Sequence, residues 1–304
     1  LSAAAINAMR RDALNALTAQ RGRREAQNLG RPSKTLHYPG NKKRPEVTVQ
    51  VTNLEQITPK LLKFAPSVLY VPLHILYGNL EACGELTMRA NVCAVLPRIV
   101  RDTELAALQR QMQEVYRQGV REALVGNLGM LQPAKVCGFR VRGDFGLNLY
   151  NSASVNTARE LGLESCTLSF EMTLPQIRDV SKAVPCEIFS YGRMPLMVTE
   201  NCLIRQRTGR CTCNLGPVKL TDKTGAEFPI IKDGSSCRSV LLNGKKLNWL
   251  DRQSDLSRLG LWATRLYFTT ENPKEVDQVL AAYQNPPKFD PGAYTRGLYL
   301  RGLE

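Results

Sequence analysis

From Val47 onward, short runs of β-branched and aliphatic residues alternate with stretches whose apolar positions recur every three to four residues. The runs VTVQVT (47–52), SVLYVPL (67–73), NVCAVLPRI (91–99), EALVGNLGM (122–130), FRVRGDFGLNLYN (139–151), SCTLSF (165–170), CEIFSYG (186–192) and WATRLYFTT (262–270) read as strands. Between them lie helical patterns such as LEQITPKLLKF, DTELAALQRQMQEVYRQG, SASVNTARELG and LPQIRDVSKAV, and ENPKEVDQVLAAYQ follows the last strand. Strand and helix alternating in this way call for parallel pairing through right-handed crossovers. The count of strands predicts closure into a (β/α)8 TIM-type barrel of the α/β class. A doubly wound open sheet is the alternative, but no Gly-rich phosphate loop follows the first strand.

The pattern also divides the chain. Residues 3–20 form an amphipathic helix with Ile6, Met9, Leu14 and Leu17 on one stripe and Arg10 and Arg11 off it. Residues 22–46 hold three prolines and three glycines and read as an extended arm. The expected organisation is a helix and basic linker over 1–46, a barrel over 47–285 with an insertion at 200–258, and a tail over 286–304. The start has neither an initiator Met nor the apolar core of a secretory signal, so a piece of a longer polypeptide is expected. No apolar run is long enough to predict a membrane-spanning helix.

Charge adds a partner. Lysine and arginine total 41 against 27 acidic residues, a net charge of +14. Such an excess suits a polyanion through long-range attraction and counterion release, and RNA is the expected one. The plainer reading is a soluble basic surface. The basic residues cluster at Arg21, Arg23, Arg24, Arg31, Lys34, Lys42, Lys43 and Arg44.

Cysteine adds the chemistry. Five of the nine cysteines, Cys83, Cys93, Cys137, Cys166 and Cys186, stand singly and read as free thiols, which implies a reducing, cytoplasmic setting. The other four, Cys202, Cys211, Cys213 and Cys237, share one polar segment with the spacing C-x8-C-x-C-x23-C. That segment has too few apolar residues to bury its thiols, and a metal centre would organise it. Structural zinc usually shows paired C-x2–4-C knuckles, which this spacing lacks; a [4Fe–4S] cluster, zinc and bare thiols all stay open. The insertion follows the seventh strand, and βα loops form the active face of such barrels.

The run EIFSYGRMPLMVTENC, with Glu187, Phe189 and Gly192, resembles the signature of peptidase family U32, the collagenase-like proteases. Pro195 stands where that signature has its next cysteine, and the first cysteine comes at Cys202. NLYNSASVNTARELG, TLSFEMTLPQI, KLTDKTGAEFPI and TRGLYLRG are similar to the family as well, and INAMRRDALNAL resembles the domain preceding a second barrel copy in long members. The resemblance implies an iron–sulfur enzyme of oxygen-independent hydroxylation, with tRNA or ribosomal RNA bases or ubiquinone precursors as substrates. The RNA branches are associated with prephenate, and long members resemble the branch acting on a cytidine of large-subunit ribosomal RNA. It also implies the four cysteines as ligands. The family name keeps a collagenase-like peptidase open, and a non-catalytic RNA-binding copy of a larger enzyme is the third reading.

Further candidates come from strand ends, with Glu187, Glu171 and Arg193 as catalytic residues and Asn148, Tyr150, Asn151 and His74 as substrate-binding ones. Asn148, Tyr150 and Asn151 close the fifth strand, Glu171 follows the sixth, Glu187 lies in the seventh and Arg193 just beyond it. Arg193 offers a planar fork for a carboxylate. His74 ends the second strand and faces either the barrel mouth or the core; His37 lies in the basic arm. There is no HExxH pair and no GxSxG elbow.

Overall fold

A computed structural model of the chain describes residues 2–23, 36–210, 218–234, 237–285 and 292–302. It divides into two compact units, residues 1–35 and 36–304. In the first, helix α1 (Ala3–Gly22) begins at Ser2, whose hydroxyl accepts a hydrogen bond from the Ala5 N–H at 3.2 Å. Its stripe of Ile6, Met9, Leu14 and Leu17 is exposed.

In the second unit, strands β1 (Glu46–Gln50), β2 (Val68–Pro72), β3 (Val92–Val95), β4 (Glu122–Val125), β5 (Arg140–Gly143), β6 (Cys166–Thr167) and β7 (Cys186–Gly192) pair in chain order, all parallel. Four strands follow as an antiparallel sheet: β8 (Pro195–Thr199), β9 (Val218–Thr221), β10 (Glu227–Lys232) and β11 (Ser239–Leu242), in the order β8-β11-β10-β9. Then come β12 (Lys246–Asn248), β13 (Ala263–Tyr267) and β14 (Tyr294–Thr295). Strand β13 pairs in parallel with both β7 and β1, which closes an eight-stranded parallel barrel. The fold is the expected (β/α)8 barrel.

Helices α2 (Pro59–Phe64), α3 (Leu73–Tyr77), α4 (Leu80–Thr87), α5 (Asp102–Arg117), α6 (Leu131–Val136), α7 (Ser152–Glu160) and α8 (Leu174–Asp179) lie between the barrel strands. Helix α9 (Leu203–Thr208) belongs to the insertion, α10 (Gln253–Ser257) precedes β13 and α11 (Pro273–Gln284) follows it. Polar caps start several of them. Thr58, Asn151, Thr173 and Asn272 each accept from a backbone N–H inside the first turn, and Pro follows within two residues at three of these starts.

Strand alternation sorts the core into two layers. Outward residues such as Val49, Leu69, Ala94, Ala123, Val141, Ile188 and Leu266 pack under the helices. Inward residues fill the barrel, and many are polar or charged. Several strands are shorter than their apolar runs suggest. The fifth ends at Gly143, and a 3-10 turn (Phe145–Leu147) carries the chain to Asn148, which has a left-handed φ of 50°. Gly192 ends β7 at φ 125°, where a Cβ would lie 2.2 Å from the Tyr267 carbonyl oxygen. Only glycine allows β13 to approach so closely there.

Residues outside the strands also belong to this unit. The Tyr38 N–H donates to Ser181 Oγ at 2.8 Å, and the Asn41 N–H to the Gly260 carbonyl at 2.9 Å. Beyond α11, β14 pairs with β12 and Tyr299 is buried, its hydroxyl donating to the Phe189 carbonyl at 2.9 Å. No helix among the described residues is long and apolar enough to cross a membrane.

Candidate functional site

The chain leaves β7 at Gly192 and re-enters the barrel at β12, whose Leu247 pairs back onto Gly192. The intervening antiparallel sheet is therefore rooted at the C-terminal end of the barrel strands, and it closes over the mouth as a cap. Between cap and barrel lies a cavity of about 560 Å³. Val198, Val218, Ile230 and Val240 form its apolar roof. The barrel side contributes Gln50, His74, Arg98, Asp144 and Tyr267, and the end of β10 adds Lys232, with Asp233 just beyond it. An apolar enclosure with a few convergent polar groups is the usual form of a small-molecule site.

Beneath the cavity sits Arg265, fully buried in the middle of β13. Its Nε donates to Glu187 Oε2 at 3.0 Å, one Nη to Gln50 Oε1 at 2.9 Å and Asp144 Oδ1 at 2.8 Å, and the other Nη to Thr167 Oγ1 at 2.7 Å. The guanidinium lies 4.3 Å from the Tyr70 ring centroid and 5.0 Å from that of Phe189. Burial opposes its charge, and Glu187 and Asp144 outweigh that, so its pKa is held above the ordinary arginine value. Glu187 is occupied at both oxygens: the Thr48 hydroxyl donates to one, and Thr167 and Arg265 to the other. The expected catalytic Glu187 thus anchors the arginine that carries Gln50 and Asp144 on the cavity floor.

The other candidates are more dispersed. His74 lines the cavity at the start of α3, and burial together with nearby Lys232 lowers its pKa to about 4, so it is a neutral imidazole at neutral pH. Burial pushes the Asp233 carboxyl up. Arg193 donates to the carbonyls of Asn243 and Gly244, pinning the β11–β12 turn where a carboxylate partner was expected. Asn151 caps α7 through a 2.9 Å bond from the Ser154 N–H, the Tyr150 N–H donates to Ser154 Oγ, and Asn148 is exposed. Glu171 sits in the turn after β6, its N–H donating to Ser169 Oγ at 3.3 Å. None of Glu171, Arg193, Asn148, Tyr150 and Asn151 lines the cavity.

Arg265, Asp144, Gln50, Arg98 and Lys232 escaped the sequence reading. A charge at an inward position of the last strand, between Ala263 and Tyr267, is the signal that marks Arg265.

Cys211 and Cys213 lie outside the described residues. Cys202 and Cys237 are free thiols, half-buried and exposed respectively. Strands β8 and β11 pair antiparallel with Thr199 opposite Ser239, so Cys202, just past β8, and Cys237, just before β11, fall at the same end of the cap. The Leu203 N–H reaches Ser239 Oγ at 3.4 Å and joins the two segments. Val218, the first described residue after the segment holding Cys211 and Cys213, pairs with Ile230 toward that end too. The Arg205 N–H donates to Cys202 Sγ at 3.4 Å, a contact of the kind that supports a ligating thiolate. No group of three or more metal-ligating side chains is assembled among the described residues. The remaining cysteines are free thiols, with Cys83, Cys93, Cys166 and Cys186 buried and Cys137 half-buried.

The sequence model described as peptidase family U32 matches residues 80–287. No curated protein matches the chain. Among solved structures, a mutant tryptophan synthase alpha-subunit from Pyrococcus furiosus is similar at 7% identity, covering 81% of this chain and 99% of its own, with a TM-score of 0.44. Orotidine 5'-phosphate decarboxylase from Pyrococcus horikoshii OT3 follows at 9% identity, 77% and 98% coverage and a TM-score of 0.40. A mandelate racemase/muconate lactonizing enzyme from Bordetella bronchiseptica RB50 gives 12% identity, 50% and 47% coverage and a TM-score of 0.38. At these identities no chemistry carries over from them.

Proposed function

Since the chain belongs to peptidase family U32, we propose that it is the barrel domain of an iron–sulfur enzyme that hydroxylates bases of ribosomal RNA or tRNA without oxygen. The observation that carries this reading is the placement of Cys202 and Cys237 at one end of the cap, above a cavity at the barrel mouth. Cys202, Cys211, Cys213 and Cys237 would hold a [4Fe–4S] cluster, and thiolates are the donors it needs. When bound, such a cluster supplies one-electron redox chemistry.

The chain's own residues then bind and orient. Arg98 and Lys232 give the cavity positive charge for a small carboxylic acid of the prephenate kind, whereas Arg193 does not line it. The Arg265 network holds Gln50 and Asp144 rigid on the floor, and neutral His74 offers a hydrogen bond without charge. Lys42, Lys43 and Arg44, just before β1, present cations for RNA phosphates at the opposite end of the barrel. The free thiols suit a reducing cytoplasm.

Anaerobic purification with an absorption spectrum and iron and sulfide analysis tests the reading. Brown protein that loses iron in Cys202→Ser and Cys237→Ser supports it. A colourless zinc protein, or one without metal after reconstitution, removes it. Incubation with gelatin tests the peptidase reading, with His74→Gln as the control because a change at Glu187 also disturbs its bonds to Arg265.

A further inference from the structure

The cap is joined to the barrel by its chain connections at one end. There Pro195 pairs with Leu242, the Asn243 N–H donates to the Met194 carbonyl at 2.9 Å, and Arg193 pins the β11–β12 turn. The cysteine-bearing end is the far one, about one strand length away, and needs its own attachment if it is to stay seated. Arg238 provides it. This residue, next to Cys237, is 4% exposed. Its Nε donates to Glu200 Oε1 at 2.7 Å, across the cap on the β8 side and two residues before Cys202. Its two Nη groups reach the barrel: one donates to the Ile99 carbonyl at 3.1 Å, the other to Glu104 Oε2 at 2.9 Å in the first turn of α5. Arg101 closes the ring by pairing with Glu200 at 3.1 Å.

We infer that Arg238 is a positioning residue that clamps the far end of the cap to α5 and thereby holds the segments of Cys202 and Cys237 together over the mouth. One planar guanidinium serves three partners on two structural layers, a geometry that an ammonium cannot reproduce. The consequence for metal binding rests on the iron–sulfur reading; the clamp does not.

The test is amide hydrogen exchange on the whole chain, as wild type and as Arg238→Met, Arg238→Lys and Glu200→Gln. In Arg238→Met, exchange in β8, β10 and β11 speeds up by about tenfold or more while β1 to β4 keep their protection. Arg238→Lys does not restore it, and Glu200→Gln, which keeps the partner's shape but removes its charge, moves the same strands in the same direction by less. Cap exchange unchanged in Arg238→Met overturns the clamp. Anaerobic titration with cobalt(II), read by its thiolate charge-transfer band, gives the second readout, with roughly tenfold weaker binding expected in Arg238→Met. A wild-type chain with no thiolate band but with the exchange pattern above removes the iron–sulfur reading and leaves the clamp standing. A wild-type band with cap exchange unchanged in Arg238→Met overturns the clamp and leaves a thiolate metal centre standing.

Discussion

Arg265 and Arg238 are buried almost equally, at 0% and 4% exposure, and each serves two carboxylates. Their partners differ. The Glu187 and Asp144 side chains are 2% and 5% exposed, whereas Glu104 and Glu200 are 38% and 46% exposed. Water can take over from Arg238 when it is lost, and it cannot take over from Arg265. Loss of an arginine among buried acids is therefore expected to cost the whole fold, and loss of one among wet acids only a local position.

The strongest way to break this contrast is Arg265→Met. It leaves Glu187 and Asp144 as uncompensated buried carboxylates, with an expected loss of about 3–5 kcal/mol. Thermal melting is then expected roughly 10 °C lower. Glu187→Gln keeps the shape and leaves Arg265 its bond to Asp144, so a loss of about 1–3 kcal/mol is expected in urea unfolding. Adding Glu187→Met to Arg265→Met removes one orphaned charge, and the double variant is expected to melt above Arg265→Met alone. Equal melting would show that the pair does not act as a unit.

Arg238→Met sharpens the other side. Its partners rehydrate, so global unfolding is expected to change by less than about 1 kcal/mol even as the cap loosens. A loss as large as that of Arg265→Met would erase the distinction.

A pH dependence, absent near neutrality, probes the cavity rather than either arginine. The folded chain holds His74 at about 4, and the unfolded chain titrates it near the ordinary histidine value. Between those values the unfolded state binds the extra proton, so stability falls as pH drops from about 6.5 toward 4. Melting curves across that window are expected to fall less steeply in His74→Gln than in the wild type. Parallel slopes would place the acid sensitivity elsewhere.

Much of the barrel is legible in the sequence. The alternation of VTVQV, SVLYV and CEIFSYG with amphipathic stretches specifies parallel strands, and Thr58-Pro59, Thr173 and Asn272-Pro273 mark helix starts by their capping chemistry. The site was less so. Asn148, Tyr150 and Asn151 look like a strand end in sequence, but the strand stops at Gly143 and a 3-10 turn turns them toward the cap of α7. Arg193 looks like a free fork in sequence, yet one of its terminal nitrogens bonds the carbonyls of Asn243 and Gly244, 50 and 51 residues on.

The sequence by itself determined the eight-strand alternation, the basic balance, the insertion after the seventh strand and the U32 signature around Glu187 and Gly192. Those are properties of local periodicity and residue type. Only the tertiary structure decided that Glu187 meets Arg265 from 78 residues away, that Arg238 joins the cap to α5, and that Cys202 and Cys237 share one end of a sheet. Barrel closure and antiparallel register bring distant positions together, and no local pattern records which inward charge will find which partner.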